Sequence, residues 1–228
     1  GHSGKPDITY TFEDHFKYLV AFLDAMKLDQ FTLVAHDWGA ALAWEYARQY
    51  PQKVKRLAFM EGVLPPTFPK ETFDALGKEM GNMFRTFKDQ EQGRELIIEQ
   101  NLFVEQILPA MINRPLGHDA KHEYGAPYLN KKDRLPTLQW PREVPIEGKP
   151  ERNVNLMHNI SAFMGQTEMP VLLAYAEPGI LIPPQAVKWY TDKIKDLETV
   201  FVGQGLHFIQ EDQPVAIGRA LQDWLRRH

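Results

Sequence analysis

The sequence predicts an α/β fold, a mainly parallel sheet with helices on both faces. Short apolar runs rich in β-branched residues alternate with longer stretches of helical periodicity. The runs are apolar throughout rather than alternating, as in strands covered on both sides. About 110 residues of different character separate the second run from the third, and these predict an inserted helical cap.

The opening residues, Gly1-His2-Ser3-Gly4-Lys5-Pro6-Asp7, read as a loop. Thr11, followed by Glu13 and Asp14, predicts a helix over 11–28, with an acceptor at its cap and acid in its first turn. Phe16, Leu19, Val20, Leu23 and Met26 then recur at helical spacing. Residues 31–35 read as the first strand and His36-Asp37-Trp38-Gly39 as the turn after it. An alanine-rich helix over 40–50 is stopped by Pro51. Further strands are predicted over 54–60, 171–175 and 199–202, and helices over 151–165, 184–195 and 214–227. Within the insertion, 70–112 reads as helical, with Met80, Met83, Phe84 and Phe87 in one apolar stripe, and prolines shape the loops after it. Residues 1–65 and 151–228 are thus expected to form one core, with 66–150 as its cap.

The composition narrows the function. Of 228 residues, 43% are hydrophobic and 25% charged, a balance that folds. A net charge of −4 with both signs scattered gives no footprint for nucleic acid. No apolar run reaches the ~18 residues of a membrane helix. The absence of cysteine excludes a disulfide scaffold, a thiolate metal site and a cysteine nucleophile. The other histidines show no metal-ligand spacing, so neither a metal nor a cofactor is expected. Cytoplasm is the expected location, unless a signal peptide precedes residue 1.

Three features carry chemistry. The first is the strand, turn and helix around His36-Asp37-Trp38-Gly39, which resembles the nucleophile elbow of the α/β-hydrolase fold with aspartate at its apex. A carboxylate is ionised at neutral pH and attacks an sp³ carbon without a base. The alternative is an aspartate that only caps the next helix. The second is Glu61 in Phe59-Met60-Glu61-Gly62, at the exit of the next strand, where an acid can orient a histidine or be an ordinary loop residue. The third is His207 in Gly205-Leu206-His207-Phe208, after the last strand, where histidine is placed to activate water. His36 reads as a hydrogen-bonding residue of the turn.

With these stretches, the sequence resembles the haloalkane dehalogenases, in the branch that also holds the Renilla-type coelenterazine luciferases. Ser3 to Asp7, His36 to Ala43, Glu95 to Asn101, Pro136 to Ile146, Glu177 to Leu181 and Gly205 to Asp212 carry the likeness, which covers essentially the whole chain. The resemblance implies Asp37 as nucleophile, His207 as activator of water and Glu61 as its carboxylate partner, with Glu177 as the competing acid. It implies Trp38 as donor to the departing halide and, through its backbone N–H, to the oxyanion hole. Phe84, Phe103, Met111, Trp140, Pro141, Ile180, Leu181 and Phe208 would line the pocket. The implied partners are a small hydrophobic halogenated substrate and a halide ion.

The sequence departs from the family in lacking an upstream His-Gly-Asn-x-Pro-type loop and in showing fewer strands than the fold normally carries. The expectation is therefore that an N-terminal segment is missing. Residues 1–228 alone are then expected to be inactive, and to aggregate or form a homo-oligomer. The rival readings are luciferase chemistry, epoxide hydrolysis using Tyr124 and Tyr128, and a non-catalytic fragment that binds apolar ligands.

Overall fold

A computed structural model describes residues 3–228; Gly1 and His2 of the opening loop lie outside it. The chain begins with helix α1 (Phe12–Ala25), whose N-cap is Thr11: the Thr11 hydroxyl accepts from the Asp14 N–H and the Asp14 carboxylate answers the Thr11 N–H. Strand β1 (Phe31–His36) leads into α2 (Trp38–Gln49), which Tyr50 and Pro51 end before β2 (Val54–Met60).

The chain from β2 to the next strand is helical. It runs through α3 (Lys78–Lys88) and α4 (Gln90–Arg94), then two π-helical turns at Glu95–Glu99 and Phe103–Ile107. It continues through α5 (Leu108–Ala110), α6 (His118–Gly125) and α7 (Leu135–Glu143) to α8 (Glu151–Met164). Then follow β3 (Val171–Pro178), α9 (Pro184–Lys193), β4 (Leu197–Gly205), α10 (Ile209–Asp212) and α11 (Pro214–Arg227).

The continuous helical stretch expected over 70–112 is broken for local reasons. Gly77 turns the backbone at φ 82°, and the Asp89 carboxylate caps a new helix on the N–H groups of Glu91 and Gln92.

Among the described residues four strands form one all-parallel sheet, in the order β1-β2-β3-β4. Leu57 to Phe59 and Val171 to Ala174 are almost wholly buried at the centre. Each large apolar side chain so buried stabilises the fold by about 1.5–3 kcal/mol. On one face Ala40, Ala41, Ala43 and Ala47 let α2 pack closely, together with α8 and α9. On the other, Ile217 and Trp224 of α11 cover Met60, Ala58 and Leu172.

Strand β4 runs well past the predicted 199–202, and β3 past 175. Their ends pair Ala176 with Gly203 and Pro178 with Gly205 beyond a bulge. Apart from Ala176, these ends carry glutamate, proline, glycine and glutamine, so backbone pairing holds them with little apolar signal. Because all strands run one way, their carboxyl ends share one edge, where such sheets place chemistry. No helix among the described residues is long and apolar enough to cross a membrane.

Candidate active site

Asp37 follows β1 directly, at φ 53°, on backbone that L-residues rarely adopt. It occupies the N-cap position of α2, yet its side chain makes no capping hydrogen bond. The carboxylate is therefore free for other work, and one oxygen lies 3.6 Å from His207 Nε2. The N-terminus of α2 at the same place offers unpaired N–H groups and the positive end of its dipole.

Glu61 leaves β2 at φ 40° and is fully buried. Its Oε2 accepts the N–H groups of Ile180 at 3.0 Å and Leu181 at 2.8 Å, and its Oε1 that of Ile182 at 3.1 Å. The same Oε2 faces His207 Nδ1 at 3.5 Å. Glu177, the competing acid, is exposed near the end of β3. The loop after β3 thus contributes three backbone donors that hold the buried carboxylate.

His207 is 6% exposed. Its backbone N–H donates to the Met111 carbonyl at 3.1 Å, and its carbonyl lies 2.8 Å from His36 Nε2, which donates to it. His36 therefore braces the histidine loop across the sheet edge rather than its own turn. Burial pushes the His207 pKa down most strongly, but the Glu61 hydrogen bond and the charges of Asp37 and Glu61 together hold it above the ordinary histidine value. Burial first, and then neighbouring His207, holds His36 below that value. No group of three or more His, Asp or Glu side chains among the described residues is arranged to hold a metal ion.

Asp37, Trp38 and His207 open onto a cavity of about 80 Å³. That is room for a few waters or one small organic molecule. Phe84, Phe103, Met111, Trp140, Pro141, Ile180 and Leu181 line it, as do Val63, Phe68, Met80, Met83, Phe87, Ile107 and Val144.

The family model of the alpha/beta hydrolase fold matches residues 1–94. A haloalkane dehalogenase of Mesorhizobium japonicum is 40% identical over 225 residues, which are 99% of this chain and 72% of that protein. One of Bradyrhizobium diazoefficiens is 37% identical, with 99% and 75% covered. The crystal structure of the haloalkane dehalogenase DbeA from Bradyrhizobium elkani superposes with a TM-score of 0.94 at 36% identity, covering 99% of this chain and 77% of that one. The chain belongs to the haloalkane dehalogenase family. Its class is that of hydrolases acting on carbon–halide bonds.

In this dehalogenase Phe208 is not among the cavity-lining residues. Its ring packs on His36 at 5.6 Å and on His207 at 4.7 Å instead, because the chain turns into α10 directly after it. The additional lining residues come from several places, Ile107 from the second π-helical turn and Val144 from the end of α7 among them. Met80, Met83 and Phe87 extend the stripe of Phe84 along α3 and were legible as a stripe, though not as a wall. Val63 and Phe68 come from the loop after β2, where no periodicity marks them. The tyrosines that epoxide hydrolysis would use are placed elsewhere: Tyr124 donates to Glu211 at 2.7 Å, and neither Tyr124 nor Tyr128 lines the cavity.

Trp38 is stacked against Trp140 at 4.9 Å, and Trp140 against His15 of α1 at 4.2 Å. An indole N–H at the cavity wall is a neutral donor suited to a large, weakly hydrated anion. Chloride or bromide titration should therefore quench tryptophan fluorescence in the wild type. Trp38→Phe should abolish most of that quenching; quenching that survives intact would place the halide elsewhere.

Proposed function

We propose that Asp37, His207 and Glu61 hydrolyse small haloalkanes to alcohol and halide in two steps. The supporting observation is the single line they form at the sheet edge: Glu61 faces Nδ1 of His207, and Asp37 faces Nε2. In the first step an Asp37 oxygen attacks the carbon bearing the halogen. The new C–O bond forms as the carbon–halogen bond breaks, and the halide leaves with its electron pair toward Trp38. In the second step His207 Nε2 takes a proton from water, and the hydroxide attacks the ester carbonyl carbon. The alcohol departs with that proton, the carboxylic acid left on Asp37 releases its own proton to solvent, and the carboxylate is restored. Glu61 orients the ring and stabilises the imidazolium that forms. Residues 66–150 serve as the cap, because they supply most of the apolar wall over the nucleophile while 1–65 and 151–228 supply the reacting groups.

The electrostatics separate the two steps. The charge on Asp37 is one of the influences holding the His207 pKa up. Alkylation removes it, so the histidine becomes a freer base only once there is an ester to hydrolyse. For folding, a raised histidine pKa contributes stability that is complete below the unfolded value and is lost as pH rises through the folded one.

Halide release from 1,2-dibromoethane tests the function, and its pH dependence tests the division of labour. The steady-state rate should fall as pH drops through the histidine range. The first-turnover burst should persist below it, since attack by a carboxylate needs no base. No halide release from any small haloalkane by the full-length protein would refute the function, and loss of both phases at one pH would refute the division.

A further inference from the structure

We infer that Asp212 is a positioning residue for ester hydrolysis, linking the cap segment beside the substrate cavity to the loop that holds His207. This rests on the reading of His207 as the base. Asp212 is the last residue of α10. The helix is a single turn, and none of the Asp212 hydrogen bonds goes to its own N–H groups. The Asp212 oxygens instead collect N–H groups from two separate parts of the molecule. From the cap come Asn113 at 2.9 and 3.0 Å and Arg114 at 3.0 Å; from the histidine loop comes Leu206 at 3.2 Å.

The neighbouring contacts reinforce the link. The Met111 carbonyl accepts the N–H groups of both His207, at 3.1 Å, and Phe208, at 3.2 Å, while Met111 itself lines the cavity. Glu211 accepts the Tyr124 hydroxyl of α6 at 2.7 Å and the Arg114 guanidinium at 2.9 Å, and its carbonyl takes a second guanidinium N–H. Burial and the Glu211 carboxylate push the Tyr124 pKa up to about 12, so its hydroxyl stays a donor across the working pH range. One cap segment thus touches substrate space with Met111 and the histidine loop with the next few residues. Asp37, by contrast, is positioned by β1 and α2 and takes no part in this network. The link accordingly governs the second chemical step and leaves the first alone.

Asp212→Asn keeps the shape, leaves one oxygen in place of two and turns an NH₂ group toward N–H donors. The full-length purified protein, mixed rapidly with 1,2-dibromoethane, should still give a burst of one halide per active site. Its steady-state rate should fall about 10²-fold, the loss that a roughly 1 Å misplacement of a catalytic group causes. An alkyl ester should then be visible in the intact mass. Tyr124→Phe combined with Arg114→Gln should shift the same ratio in the same direction by less.

Equal loss of burst and turnover in Asp212→Asn would show a merely structural role and overturn the inference, as would unchanged turnover. If Asp212→Asn does not fold, the Tyr124 and Arg114 double variant decides: hydrolysis no slower than wild type overturns the link. His207→Ala in the same assay separates the two readings. Normal turnover in His207→Ala removes the base itself. A stalled ester in His207→Ala beside normal hydrolysis in Asp212→Asn removes only the link.

Discussion

Asp37→Ala should release no halide at all, whereas His207→Ala should release one equivalent and then stop. The asymmetry follows from the chemistry of the two side chains. A carboxylate attacks in its resting ionised form, so the first bond change needs no proton transfer. Water at neutral pH is a poor nucleophile toward an ester, and a positioned base is worth about 10² to 10⁴ in rate. Without the imidazole the alkyl group should stay on Asp37 and appear as added mass equal to the substrate less one hydrogen halide. Rapid-quench halide determination with intact-mass measurement reads both outcomes. Normal turnover in His207→Ala, with no adduct, would remove the histidine from the mechanism. Halide release by Asp37→Ala would remove the ester.

Glu61→Gln should slow ester hydrolysis by roughly 10² to 10⁴, while Glu177→Gln should leave it within about two-fold. Two effects combine at Glu61. The amide no longer offers a negative charge to the imidazolium, 3.5 Å away. It also receives three backbone N–H groups with one carbonyl oxygen, and each donor left without a partner costs about 1–3 kcal/mol. The melting temperature should fall as well, so the rate must be normalised to the halide burst, which counts competent sites. Glu177 is exposed and forms none of these hydrogen bonds. The opposite ranking would move the acid to β3, where Glu177 is the residue before the last.

The parts of the site that sequence reveals are those that are contiguous along the chain. Asp37 was legible because strand, turn and helix surround it within a few residues. His207 and Glu61 are separated by 146 positions. Local pattern could only place each at a strand exit, and the likeness to a family paired them. The carboxyl ends of β3 and β4 escaped because main-chain pairing leaves no side-chain signature on residues such as Gln204 or Gly205. Phe208 was misjudged for a related reason. Adjacency to His207 says nothing about which way the ring points once the chain bends into α10. The Asp212 contacts were beyond sequence altogether, since three of the four run to bare N–H groups in the cap.

The backbone of the elbow has a consequence for any attempt to improve this protein. Asp37 and Glu61 both stand at positive φ, where a β-carbon costs about 1–3 kcal/mol. At Glu61 three N–H hydrogen bonds offset that cost. At Asp37 the side chain returns no capping bond and only the 3.6 Å charge contact with His207 offsets the strain, which glycine would relieve. Directed evolution scored on heat resistance alone therefore has a downhill route through the nucleophile itself. A library screened that way should drift toward inert, sturdier proteins unless every round also demands turnover.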